Sequence, residues 1–275
     1  MRINVFVIFL LASALAFAQA PSIADGGVLN GASFVKGQPV TVGSLVSIFG
    51  TNLASGLAQS DTIPLSTQLG GVTVQFVNGS TTVNSPLLFV TGSQINAQVP
   101  WNLVPNGATQ NVSVTVTTGS GTSAPSQVMV GPFSPAIFTV DVGSSFFAVA
   151  QNNADGTLAQ AAGSIPGLTT HPAKVGDAIV IYATGLGAVD NPPANGGIPP
   201  TGVLATTLTK PIVLLGGVPV PQEDFIFAGL QPQFVGVNQI NIVIPTNAQT
   251  GNAVPLQIQM GGITSPQNVT IAITQ

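Results

Sequence analysis

Cysteine is absent from the 275-residue sequence, which excludes disulfides, thiolate metal sites, a cysteine nucleophile and a lipidated N-terminal cysteine. Charge is nearly as scarce. Only 4% of residues are Asp, Glu, Lys or Arg, against roughly 25% in an average soluble protein. The four basic residues, Arg2, Lys36, Lys174 and Lys210, are scattered, and the formal net charge is −4. With no basic patch to neutralise phosphates, the sequence argues against nucleic acid or anionic lipid as partner. Histidine occurs once, as His171. One His and no Cys leave the usual zinc sets without ligands, and nothing in the sequence calls for a cofactor.

What is present is glycine (32), proline (22) and a surplus of Val, Ile and Thr, with hydrophobic residues at 45%. A mean hydropathy of +0.52 and β-branched enrichment are opposite to a disordered composition. Short Val/Ile/Thr runs punctuated by Gly and Pro predict an all-β protein. At the N-terminus Arg2 precedes an apolar run from Ile3 to Ala18, followed by small residues, the pattern of a secretory signal peptide over 1–18. Cleavage after Ala18 is preferred over Ala20, because the latter leaves Pro21 at the new terminus. No later run is long enough to span a bilayer. The mature chain from Gln19 loses Arg2, keeps three basic against eight acidic residues, and carries −5. The expected destination is the periplasm, the cell surface or the medium.

A duplication organises the rest. Gln94-Ile95-Asn96-Ala97-Gln98-Val99-Pro100 returns as Gln239-Ile240-Asn241-Ile242-Val243-Ile244-Pro245. In the first copy Ile95, Ala97 and Val99 alternate with Gln94, Asn96 and Gln98, the period-2 pattern of a half-buried strand that stops at a proline. Val42 to Leu53 likewise matches Val175 to Leu186 residue for residue, and Pro125 before the last strand recurs as Pro266. Each copy carries about seven short strands in roughly 100 residues, the size of an immunoglobulin-like sandwich. The predicted order is a lead-in (19–39), a first sandwich (40–131), a connector (132–173) and a second sandwich (174–275). The connector contains Phe133, Phe138, Phe146 and Phe147, which predicts that it packs against the sandwiches. It also contains a hairpin, Phe146–Ala150 and Thr157–Ala161, turning at Asn152 to Gly156.

Four motifs carry a family resemblance: Gln94 to Trp101, Pro135 to Thr139, Asn153 to Thr157 and Tyr182 to Gly187. Together they resemble the Solibacter-type C-terminal domain family, over nearly the whole chain after the leader. The repeated Val-Gly…Gly-Thr-Asn-Leu opening is similar to the IPT/TIG group of immunoglobulin-like folds. The resemblance implies an exported protein, in a family where this region is often joined to other extracellular modules. It brings no catalytic or ligand-binding residues.

Candidate chemistry is sparse. A hydrolase would have to assemble around His171, yet no Gly-x-Ser-x-Gly elbow accompanies it. Glu223 and Asp224 are adjacent carboxylates, which on a strand point to opposite faces and read as solvated turn residues. Asn152, Asn153 and Asp155 gather oxygens in a tight turn, weak calcium candidates without the spacing of an EF-hand loop. Trp101, the sole tryptophan, could stack on a sugar ring while Gln94, Asn96 and Gln98 offer hydrogen bonds. The competing reading places Trp101 in the core or a domain interface and the amide row in solvent. The reading best supported is an exported non-catalytic interaction or structural module for an extracellular protein or glycan, with adhesion or cell-surface assembly as the expected setting. A carbohydrate-binding module is second and a hydrolase using His171 third. The shortage of charge also removes repulsion between copies, which leaves self-association open.

Overall fold

The computed structural model describes residues 19–265 and 268–275; the leader expected over 1–18 and the recurring Pro266 lie outside them. The first half runs β1 (Ser22–Asn30), β2 (Leu45–Thr51), β3 (Ala58–Gln59), β4 (Thr73–Asn78), β5 (Thr81–Asn84), β6 (Leu87–Val90), β7 (Gln94–Gln98), β8 (Gln110–Thr118), β9 (Gly121–Thr122) and β10 (Ser126–Val130). These strands form two sheets, ordered β1-β2-β7-β6-β3 and β10-β8-β4-β5, with β9 beside β8. Their inward rows meet in one core. Val46 and Ile48 of β2 and Ile95 and Ala97 of β7 face Val74 and Phe76 of β4 and Val112, Val114 and Val116 of β8.

The second half runs β11 (Ala136–Ile137), β12 (Thr139–Val142), β13 (Ser145–Ala148), β14 (Ala150–Asn152), β15 (Leu158–Ala159), β16 (Thr170–His171), β17 (Ala173–Lys174), β18 (Ala178–Thr184), β19 (Ile212–Leu215), β20 (Val218–Pro219), β21 (Phe225–Leu230), β22 (Asn238–Val243), β23 (Gly251–Met260), β24 (Ile263–Thr264) and β25 (Val269–Thr274). One sheet is ordered β16-β15-β14-β18-β22-β21 with β11 beside β18. The other is β12-β13-β25-β23-β19-β20 with β17 and β24 alongside. The protein is all-β, two immunoglobulin-like sandwiches in tandem.

The duplication holds at the level of register. β2, β7 and β6 lie side by side as β18, β22 and β21 do, and β10-β8-β4-β5 corresponds to β25-β23-β19-β20. Ile95 sits opposite Ile48 and Ile240 opposite Ile181, all four fully buried. An unpredicted side-chain contact is duplicated too. Ser123 Oγ accepts from the Val116 amide at 3.0 Å and Ser265 Oγ from the Ile258 amide at 3.1 Å. Each half thus satisfies a backbone donor of its β8-type strand where the facing segment is interrupted, between β9 and β10 in the first half and between β24 and β25 in the second. The Gly216-Gly217 and Gly261-Gly262 turns have positive φ at both residues, the two-residue geometry that matches the strand twist.

Two expectations are corrected. The lead-in contains an edge strand, β1, which pairs antiparallel with β2. A bulge between Ile23 and Val28 breaks the alternation, so the segment looks patternless in one dimension. The connector is not separate from the sandwiches: β11 to β17 enter both sheets of the second one. Ile137, Ala148, Ala150, Ala159 and Ala173 are buried in its core. The chain changes sheets at Val149, between β13 and β14, and the small alanines on either side fit the narrow corner. The hairpin lies where Asp155-Gly156 places it but is shorter, β14 pairing with β15, with Gly156 at φ +74°.

Candidate functional site

The signature strand β7 ends at the junction between the sandwiches. Its amide row divides into two environments. Gln94 Nε2 donates to Asn96 Oδ1 at 2.8 Å, and Ser47 Oγ donates to the same oxygen at 2.9 Å, a ladder on the half-exposed face. Gln98, expected on that face, is fully buried. Its Oε1 accepts from the Gly196 amide at 2.7 Å, and its Nε2 donates to the Gly43 carbonyl at 3.3 Å. This side chain therefore joins the halves, because the excursion carrying Gly196, between β18 and β19, reaches back onto the first sandwich and covers it.

Trp101 belongs to the same junction. Its indole packs between the first core and a small cluster of Val189, Ala205 and Leu230 from the second half, and its backbone amide donates to Asn195 Oδ1 at 2.8 Å. The domain-interface reading of this tryptophan is the one the contacts match, so its ring is not a free platform for a sugar. Gly43 is what lets it lie there: a Cβ at Gly43 would sit 2.1 Å from the ring, and the backbone is at φ +75°. Further ties reinforce the joint. Leu65 N donates to Gly196 O at 2.8 Å, Leu45 N to Thr184 Oγ1 at 3.0 Å, and Asn30 Nδ2 to Ser134 O at 2.8 Å.

Beside this joint the halves leave a cleft of about 350 Å³. One wall is the 59–65 segment with Leu45 and Leu88; the other is Gln233 to Val237. Both walls are pinned. Ser60 N donates to Leu88 O at 2.9 Å, and the buried Gln231 accepts at Oε1 from the Gln233 and Phe234 amides at 2.5 and 2.8 Å. Sequence reading missed this cleft because its walls come from loops remote in the chain, with no periodic pattern to mark them.

The calcium candidates serve another purpose. Asn152 is buried and donates from Nδ2 to His171 O at 3.1 Å and Thr157 Oγ1 at 3.2 Å. Asn153 N donates to Ala178 O at 2.9 Å. Asp155 Oδ1 accepts from Thr157 N and Oγ1, and Oδ2 from His171 Nε2 at 2.8 Å. These bonds staple the hairpin turn to β16. No group of three His, Cys, Asp or Glu residues comes together among the described residues. His171 Nδ1 lies 2.9 Å from Pro172 O and 3.4 Å from Asn152 Nδ2, so the nearest partner of each ring nitrogen is an oxygen acceptor, which favours the imidazolium. The Pro172 carbonyl and then Asp155 hold the His171 pKa above its ordinary value, while the Thr157 amide and His171 lower Asp155 to about 2. Glu223 and Asp224 lie in a single 3₁₀ turn, Gln222–Asp224, and not on a strand.

No family model and no curated protein sequence matches the chain. Among solved structures, the plexin A4 extracellular region covers 94% of the chain at 10% identity and TM-score 0.27, with 34% of its own length matched. The tandem Ig repeats of Dlar cover 94% at 11% identity and TM-score 0.23, with 99% matched. A Bacteroides ovatus mixed-linkage glucan utilization locus protein, SGBP-B, solved with a mixed-linkage heptasaccharide, covers 94% at 12% and TM-score 0.21, with 48% matched. The chain thus spans about a third of the first and half of the last. The resemblance is distant and concerns tandem immunoglobulin-like architecture. No helix among the described residues is long and apolar enough to cross a membrane.

Proposed function

We propose that the protein is an exported, non-catalytic interaction module, a stiff pair of immunoglobulin-like sandwiches that presents the cleft at their joint to an extracellular partner. The carrying observation is the joint itself. Linked domains move relative to each other unless the interface between them is extensive and apolar. Here Trp101 bridges two hydrophobic clusters, and the fully buried Gln98 bonds across the boundary. The Gly196 amide to Gln98 Oε1 bond adds about 1 kcal/mol to the apolar burial that holds the joint closed. The exported setting rests on the leader expected over 1–18 and on the resemblance of four motifs to the Solibacter-type domain family, which no family model match accompanies. The His171–Asp155 contact favours a turn staple over a hydrolase.

Small-angle scattering on the mature chain tests the reading. A single rigid arrangement is expected in solution, with Gln98→Ala combined with Trp101→Ala broadening the distribution of interdomain distances. A wild-type chain that already samples many arrangements contradicts it. Mass spectrometry of the exported product should find Gln19 at its N-terminus, and retention of residues 1–18 contradicts the export assignment.

A further inference from the structure

We infer that the cleft between the sandwiches is a binding site for a neutral oligosaccharide, with Phe234 as the stacking platform. The ring of Phe234 is 56% exposed and lines the cleft, opposite Ile63 at 50%. Leaving a phenyl ring in water forgoes favourable burial. The fold nonetheless uses a buried side chain, Gln231, to fix the backbone of the Gln233-Phe234 turn. A preset exposed ring in a concave site is what a ligand with an apolar face requires.

The rest of the lining specifies the ligand class. Gln59, Asp61 and Gln233 flank the apolar floor and are exposed, supplying amides and a carboxylate that pair with neighbouring hydroxyl groups. Asp61 is the only charged residue in the lining, and none of the lysines contributes. Phosphorylated, sulfated or uronic acid ligands are therefore repelled by an uncompensated carboxylate, whereas the hydroxyl groups of a neutral sugar can donate to it. The volume of about 350 Å³ falls within the roughly 300–1,000 Å³ of small-ligand sites. A folded protein partner would need a far broader surface, on the order of 1,200 Å² in total. This inference rests on the interaction-module reading and sharpens it.

The test is an array of neutral and acidic oligosaccharides probed with the mature chain, followed by calorimetric titration of the strongest neutral binder. Binding is expected only from neutral glycans. Phe234→Ala should weaken it roughly tenfold or more by removing the stacking face, Phe234→Trp should retain it, and Asp61→Asn should weaken it. Circular dichroism reports whether each variant folds; if Phe234→Ala does not, Asp61→Asn and Gln233→Ala decide. An empty array, preference for acidic glycans, retention of an apolar peptide in place of sugar, or affinity indifferent to these folded variants each overturns the inference. Scattering remains a separate readout: a rigid joint with an empty array removes the sugar site and leaves the module reading standing.

Discussion

At the scale of single residues, what joins the halves is a lack of bulk at one place and a buried amide at another. Gly43 and its repeat counterpart Gly176 both adopt positive φ, but a Cβ at Gly43 meets the Trp101 ring while one at Gly176 meets nothing within 4 Å. Gly176→Ala should therefore cost only left-handed strain, about 1 kcal/mol. Gly43→Ala should cost about 1–3 kcal/mol more, because the indole must move out of a packed joint. Urea unfolding of the two variants followed by circular dichroism measures the difference, and equal losses would show that Trp101 is not wedged. The His171 contact makes a second prediction. Its pKa is raised, so its stabilising contribution is full below 6.5 and lost as pH rises through the higher folded-state value. Asp155 has the opposite sign, contributing above 3.8 and losing that contribution as pH falls towards about 2. Imidazole titration by NMR should give a midpoint above 6.5 in the wild type and a lower one in Asp155→Asn. A midpoint unmoved by that substitution rejects the pairing. Neither feature could be read from the chain. Gln98 continues the alternation of Gln94 and Asn96, and only the excursion around Gly196 folding back over it decides that this amide is buried.

At the scale of elements, the strands that repeat were readable and those that do not repeat were not. The copies around Ile95 and Ile240 announced equivalent strands because the period-2 pattern and the terminal proline both survive in each. Placing a carboxylate in either core tests this directly. Ile95→Asp and Ile240→Asp should each unfold the half that contains them, a loss above about 4 kcal/mol. Gln94→Asp, on the half-exposed face, should cost under about 1 kcal/mol. Limited proteolysis with mass spectrometry identifies which half opens, and a folded Ile95→Asp variant would contradict the assigned face. β1, β11, β12, β16 and β17 escaped prediction for another reason. A bulge interrupts the first, and the others are short pieces that change sheets, so none is long enough to show a period. The aromatics of the 132–173 segment foretold packing, and Phe133 does pack against the second core. Phe146 stays 39% exposed, and only the three-dimensional pairing of β13 with β25 explains why the segment stays in place.

For the whole molecule, the question is whether a joint that stacks one sandwich on the next continues from molecule to molecule. β2 leads from Leu45 at the joint towards Gln19, which lies near Asn52 and Thr118, whereas β18 leads from Thr184 at the joint back to Ala178 and the C-terminal strand. The termini therefore leave from opposite poles. Such a head-to-tail contact is heterologous, and repeated between molecules it would build an open filament. The free pole of the second sandwich is the repeat counterpart of the pole that makes the joint, but its chemistry differs. Where the joint has Ser44, Gln98 and Trp101, the free pole has Asp177, Val243 and Thr246. It lacks the aromatic wedge and the bridging amide, and it adds a carboxylate that would lose its water in a stack. End-on growth is thereby disfavoured despite the low overall charge, and any self-association is left to the lateral sheet edges. Light scattering of the mature chain should give the monomer mass across a wide concentration range, with the scattering profile of an elongated particle. A mass that climbs with concentration while the particle lengthens along one axis would mean that the free pole accepts a neighbour after all, and that Trp101 and Gln98 are dispensable for stacking.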